Sequence, residues 1–185
     1  MKKLALIVLA LELAVCGCGN PNPTATPNTQ TTGNWEAFLS GGTAQASLLN
    51  FVVTFTVTNN GPLDFPTTPP ISFFNQGACF GTNVNDERLN GTATLNTANA
   101  GTVTGTLNLN VISTTNANTL MMSGTLTGNS NGTTTTTGNL TNGVVVGQWT
   151  LTGAAGDPSC SMPSPGGTFV MCQDPVNGTC PAPTT

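Results

Sequence analysis

The side chains able to do chemistry are few. Downstream of residue 18 the sequence holds six carboxylates (Glu36, Asp64, Asp86, Glu87, Asp157, Asp174), four cysteines (Cys79, Cys160, Cys172, Cys180) and one base, Arg88. It has no histidine or tyrosine, and both lysines, Lys2 and Lys3, lie at its start. A serine nucleophile needs a histidine or lysine to take its proton, so Ser-His-Asp and Ser-Lys mechanisms are excluded downstream of residue 18. No G-x-S-x-G elbow, H-E-x-x-H pair, P-loop or dinucleotide fingerprint occurs. Carboxylate chemistry is left, and a glycosidase-type or aspartic-type site needs two carboxyl groups facing one cleft. Asp86-Glu87-Arg88 is the only charge cluster. Adjacent strand residues point to opposite faces, so its two acids do not converge. The triplet reads as a solvated turn, with Arg88 a surface partner worth about 0–1 kcal/mol. The chain is therefore expected not to be an enzyme. An acid-dependent hydrolase working through Glu36 or Asp86 is the residual alternative.

Metal chemistry has little to build on. No D-x-D-x-D-G calcium loop appears. The cysteines include no C-x-x-C pair and no histidine accompanies them, which argues against zinc. No catalytic residue, metal or cofactor is expected. An even number of cysteines in an exported chain reads as two disulfides with three possible connectivities. The favoured pairing is Cys172–Cys180, around a short loop with Pro175 and Gly178, and Cys79–Cys160, tying the middle of the chain to its end. The long-loop bridge is worth roughly 3–5 kcal/mol in the chain-entropy model.

Export itself is read from the first eighteen residues. Lys2 and Lys3 precede an apolar run, Leu4 to Val15, followed by Cys16-Gly17-Cys18. This is the layout of an export signal. The run is far shorter than the roughly 20 apolar residues that span a bilayer. It resembles a bacterial lipoprotein signal, in which the cysteine after the cleavage point carries the lipid. That pattern wants a small residue before the cysteine, which Gly17 supplies to Cys18; Cys16, behind β-branched Val15, is the alternative. Glu12 within the run departs from the pattern, and a plain secretory signal cut earlier is the competing reading. The resemblance implies loss of residues 1–17, acylation of Cys18 and anchoring stabilised by several acyl chains. Gly19, where inner-membrane lipoproteins resemble one another in carrying aspartate, points to the cell envelope, as an outer-membrane lipoprotein.

Next come the elements that would hold these groups. Residues 19–33, GNPNPTATPNTQTTG, hold almost nothing apolar and read, after Cys18, as a tether. Residues 34–185 read as a single β domain with a disulfide-stapled C-terminal segment. Charged residues make up 5% of the chain, against about 25% in ordinary domains. With Arg88 the only base of the domain, nucleic acid and anionic headgroups are excluded as partners. Alternation places Phe51, Val53, Phe55 and Val57 on one face. It does the same for Val103, Leu107, Leu109 and Val111, opposite Thr104, Thr106, Asn108 and Asn110. Leu120, Met122 and Leu126 alternate, as do Val145, Trp149 and Leu151, the mark of half-buried antiparallel strands. Turn signals stand at Asn59-Asn-Gly61, Asn90-Gly91, Ala100-Gly101, Gly128-Asn-Ser-Asn-Gly132 and Asn142-Gly143. The fold expected is all-β: an antiparallel meander forming a small up-and-down barrel, with a two-sheet sandwich as the alternative. Pro-rich stretches at 61–70 and 157–167 read as long loops, the first offering Phe65 to a partner. Trp35 and Trp149 are considered as sugar-stacking platforms and read as core. The N-x-T sequons at Asn90, Asn131, Asn139 and Asn177 read as turn chemistry.

Lipobox, tether, Gly-Thr-x-Thr hairpins and Cys79-Phe-Gly81 together resemble Gly/Thr-rich bacterial surface lipoproteins, a class that brings no catalytic residues to carry over. The function expected is that of a lipid-anchored, non-enzymatic envelope domain. Its role is structural or adhesive, with a cell-surface polymer as partner. The alternative is a lipocalin-like carrier with a small apolar ligand in the barrel, where Gly105, Gly124 and Gly147 would leave interior room.

Overall fold

The computed structural model describes residues 28–41, 49–66, 69–74, 79–80, 87–98, 101–114, 118–132, 136–153, 166–174 and 180. They contain strands β1 (Asn28–Thr31), β2 (Asn34–Gly41), β3 (Phe51–Thr54), β4 (Val57–Thr58), β5 (Asn60–Pro62) and β6 (Ile71–Phe73). The longer strands follow: β7 (Glu87–Ala98), β8 (Thr102–Ser113), β9 (Thr119–Ser130), β10 (Thr137–Thr152) and β11 (Gly166–Gln173). All belong to one curled sheet, with strand order β5-β7-β8-β9-β10-β11-β2-β3-β6. Every pairing is antiparallel except β1 with β10. A barrel-like all-β meander therefore forms. The sandwich does not, because β10 keeps β9 on one side and β11 and β1 on the other, leaving no break between two sheets.

Strands β7 to β10 are the meander that alternation foretells. Their registers align inward side chains into rows, one of which reads Leu39, Phe169, Gly147, Gly124, Leu107, Ala93 across six strands. A second runs Leu95, Gly105, Leu126, Val145, Met171, Ala37, Phe51, Phe73. Large beside small lets neighbouring strands interdigitate, and these residues form one contiguous core. Gly101 takes φ 127° in the β7–β8 turn, a conformation that favours glycine.

The N-terminal hairpin enters differently from a simple up-and-down barrel. Residues 28–41 and 51–58 pair in a single register, from Ala37 opposite Phe51 to Gln30 opposite Thr58. β2 lies beside β11, and β1 continues beyond the end of β11 to lie directly on β10. Asn59 then turns the corner at φ 54°. Its N–H donates to Thr29 O and its carbonyl accepts from Leu95 N, so the sheet closes on itself at this end through one residue. At the other end β6 is the edge of the sheet among the described residues. Phe80 stacks on Phe73 there, and Asn118 Nδ2 donates to Cys79 O at 2.8 Å.

Several expectations need correction. Asn28–Thr31 is strand, not tether, so the folded domain begins at least six residues before Asn34. Polarity hid it: the inward side chains are Thr29 and Thr31, and Thr29 Oγ1 is satisfied by Thr97 Oγ1 and Ser130 Oγ. Asn90-Gly91 is mid-strand rather than a turn. The bare Gly91 lets the Leu63 side chain lie where a Cβ would stand, and Leu63 N donates to Gly91 O. Asn142-Gly143 is a bulge within β10, with Asn142 at φ 53°. Phe65 is half-buried, its ring packed edge-on against Phe55.

Both tryptophans are core. Trp149 Nε1 donates to Ser40 O at 3.0 Å. Trp35 stacks on Phe55 with centroids 5.4 Å apart, and its indole N–H has no hydrogen-bond partner among the described residues. Trp149→Phe removes ring volume and the indole hydrogen bond to Ser40 O, whereas Trp35→Phe removes volume together with an unmatched donor. Urea denaturation should therefore show Trp149→Phe to be the costlier change by about 1–2 kcal/mol. Equal losses would contradict these hydrogen-bond assignments.

Candidate functional site

Of the residues expected to act, Cys16, Cys18, Asp86, Asp157 and Cys160 lie outside the described residues. Cys172 and Cys180 are disulfide-bonded, with Cα atoms 5.7 Å apart. Cys79 is also disulfide-bonded.

The described carboxylates do not build a cleft. Glu36 is on the outer face of β2, between Cys172 and Val52. Asp64 is exposed beyond β5, and Glu87 opens β7 beside exposed Arg88. Asp174 lies near Glu36 but is committed elsewhere. It leaves β11 at φ 38°, and Oδ1 accepts the Asn34 N–H at 2.9 Å. Its carboxylate occupies the space over Gly33, where a Cβ would meet Oδ2 at 2.6 Å. Gly33 also has φ 124°, so this corner requires glycine twice over. No group of three or more His, Cys, Asp or Glu side chains among the described residues is arranged to hold a metal.

The interior glycines do not open a chamber. A Cβ on Gly124 would meet Val146 O at 2.7 Å, Val145 Cγ1 at 2.8 Å and Phe169 Cζ at 3.0 Å. On Gly105 and Gly147 it would run into the backbone of the neighbouring strand, at Thr94 and Ser123. Glycine here lets strands and the Phe169 ring approach closely. Phe169 is fully buried, and Trp35, Phe51, Phe55, Leu107 and Leu126 are buried in the same core. At these three positions, then, the missing side chains leave no room for a ligand.

Chemistry available to a partner is on the outside. Registers align outward side chains of β7, β8 and β9 into rows: Asn96–Thr104–Thr127, Thr94–Thr106–Thr125, Thr92–Asn108–Ser123 and Asn90–Asn110–Met121. Strand geometry sets neighbours within a row about 4.8 Å apart and successive rows about 6.7 Å apart. Some groups bond laterally, as Thr94 with Thr106 at 3.1 Å and Asn110 Nδ2 with Asn90 Oδ1 at 2.8 Å. Such bonds hold the array in place while each hydroxyl or amide keeps hydrogen-bonding capacity for solvent or a partner. Between Arg88 and Asp157 the sequence carries no charge at all.

The same outer face turns apolar from β10 onward. Thr125 is followed in its row by Val146, Val170 and Phe38. Phe74 lies against Phe38, centroids 6.4 Å apart. Val170, Cys172 and Cys180 form a second buried cluster there, with Phe38 and Val144 packed against it. Sequence reasoning missed this strip. Its signal was the unbroken apolar run Phe169-Val-Met-Cys172, which marks a strand covered on both faces.

The fold and face thus define a curled antiparallel β domain whose outer face is rich in hydroxyl and amide side chains on β7, β8 and β9 and carries an apolar strip on β10, β11 and β2. Comparisons with protein-family models, curated proteins and solved structures find no match for this chain.

Proposed function

We propose that this chain is a lipid-anchored domain of the bacterial cell envelope with a non-enzymatic, adhesive or structural role. Its partner is a neutral, hydroxyl-rich polymer at the cell surface. The observation that supports it is the set of four outward rows on β7, β8 and β9, made of Thr, Asn and Ser with Met121 at one corner, in which no side chain is charged or aromatic. Side chains that donate and accept without charge match sugar hydroxyls, which do both. Anchoring through Cys18 rests on the signal-like start, Lys2-Lys3 to Cys18. The compartment is consistent with the Cys172–Cys180 disulfide, since such bonds persist in oxidising surroundings.

The test is retention of the protein on insoluble neutral polysaccharides. Retention should hold between about 0.05 M and about 0.5 M salt, because no ion pairs are there to be screened. Thr106→Glu or Thr125→Glu, each placing a desolvation-averse charge in the array, should cut retention roughly tenfold, about 1.4 kcal/mol. Both positions are exposed, so stability should change by no more than about 0.5 kcal/mol. Retention that falls with salt, or that ignores both variants, removes the array from the account. The anchor is tested separately by the intact mass of protein extracted from its membrane, where diacyl or triacyl Cys18 is expected.

A further inference from the structure

The outward rows differ in how they continue beyond β9. The Thr94–Thr106–Thr125 row turns apolar at Val146, Val170 and Phe38, and the Asn96–Thr104–Thr127 row meets Val144, Cys172 and Glu36. The Asn90–Asn110–Met121 row passes Thr150 and stops at Gly166, the first residue of β11. One row stays polar and uncharged across all six strands: Thr92, Asn108, Ser123, Gln148, Thr168 and Ser40. Strand spacing makes it about 24 Å long. Its first five residues are exposed and Ser40 is half-buried.

Two further observations single out this row. The Ser40 and Thr168 hydroxyls bond each other at 3.0 Å. Among the described residues, the side chains of Thr92, Asn108, Ser123 and Gln148 form no hydrogen bond, whereas the rows to either side are tied at Thr94–Thr106 and Asn90–Asn110. The middle of the row is also flanked by exposed apolar side chains, Val146 at 56% and Met121 at 40%. Val146 precedes Gln148 by two residues on β10, and Met121 precedes Ser123 by two on β9. The two strands are antiparallel, so one apolar group stands on each side of the row.

We propose that this row is the track for a single glycan chain, which crosses the strands rather than following them. The inference rests on the polymer reading above and deepens it: the ligand is a linear, uncharged glycan long enough to reach from β7 to β2. A sugar ring presents hydroxyls at its rim and C–H groups on its faces. The track offers hydroxyls and amides to the first and Val146 and Met121 to the second. Its unbonded side chains exchange water for sugar hydroxyls without breaking bonds within the protein. Each contact is weak, and one chain engaging all six positions sums them, so affinity is set by chain length.

The experiment is retention of the full chain, in non-acylated form, on insoluble linear β-1,3-glucan, cellulose and amylose. On whichever of these retains the protein, Gln148→Glu and Thr168→Glu should each cut retention about fivefold or more, although both lie outside β7 to β9. Val146→Ser/Met121→Ser should also lower it. Thr152→Glu, exposed on the same face of β10 but two rows away, should leave it unchanged. All variants should keep the wild-type far-ultraviolet spectrum. Retention that falls with Thr106→Glu but ignores Gln148→Glu and Thr168→Glu overturns the track and leaves the array reading standing. A loss shared by Thr152→Glu traces to added charge in general and also overturns the track. Retention on none of the three polymers removes the polymer reading and the track with it. In competition, a long soluble oligomer of the retaining polymer should displace the protein and its trisaccharide, at equal sugar concentration, should not. Equal displacement by the two overturns a track that spans six strands.

Discussion

Replacing Gln173 by glutamate is expected to destabilise the domain by roughly 3 kcal/mol, since several backbone groups lose their partner together. Gln173 ends β11, where the sheet branches: β11 stops, β10 bulges between Thr141 and Val144, and β1 takes over as the neighbour of β10. Ladder bonds are missing at such a junction, and the Gln173 amide replaces them. Nε2 donates to Leu140 O at 2.9 Å and lies 3.3 Å from both Thr32 O and Thr31 Oγ1, while Oε1 accepts the Gly143 N–H at 3.2 Å. Three segments are thus joined by one side chain. A carboxylate keeps the acceptor for Gly143 but turns a second oxygen toward two carbonyls. Acid that protonates the new carboxyl restores a donor, so the deficit against wild type should narrow at low pH. Gln173→Leu keeps similar bulk, loses every bond and should cost about 2–3 kcal/mol. Denaturant titration with an unchanged m-value reads both. Amide exchange should quicken first in β1, at Thr29 to Thr31, because that strand depends on the junction. Losses below about 0.5 kcal/mol for both variants would put the junction's stability elsewhere.

How much of this was legible in the sequence varies strand by strand. β8 and β9 alternate cleanly, so their faces are readable, and with them the outward threonines and asparagines that make the array. β1 was not readable, because period-two reasoning looks for apolar residues and its buried positions are Thr29 and Thr31. β11 was not readable for the opposite reason: Phe169, Val170, Met171 and Cys172 are all buried, and a strand covered on both faces shows no alternation. Asn-Gly pairs misled twice. Their turn preference is local, while at Gly91 and Gly143 the bare Cα serves close packing by Leu63 and Trp35. The site shows the same division. Which side chains point outward is a property of each strand, but their alignment into rows is a property of register, which one strand cannot reveal. The apolar strip was hidden further still. It exists only because β11 sits between β10 and β2, bringing Val146, Val170 and Phe38 together from distant parts of the chain.

Phe169→Ala is expected to have the largest effect of a single truncation, about 3–5 kcal/mol. The ring is fully buried, points inward from β11, and its edge lies over Gly124, with Gly147 directly opposite on β10. Two glycines side by side would leave a void in a barrel wall, and Phe169 is the residue that fills it. Nothing else can relax into the gap cheaply, since Leu39 and Leu107, which flank Phe169, Gly147 and Gly124 in the row, are held by their own strands. The reverse change is also costly. Gly147→Ala drives a Cβ into the Ser123 carbonyl and Gly124 Cα across the β9–β10 ladder, where only backbone can yield. About 3 kcal/mol is expected for it. Gly124→Ala meets the ring itself as well as Val146 O. Removing the ring edge by Phe169→Leu should therefore recover roughly 1 kcal/mol of its cost in a double-mutant cycle. Additivity of that pair would show that ring and glycine do not touch. The same truncation separates a filled barrel from a carrier. Phe169→Ala should create an apolar void that admits a small aromatic ligand, detected as ligand-dependent stabilisation absent from the wild type. Equal stabilisation of both would mean that the wild-type interior already accepts ligand, and would return the carrier reading to the lead.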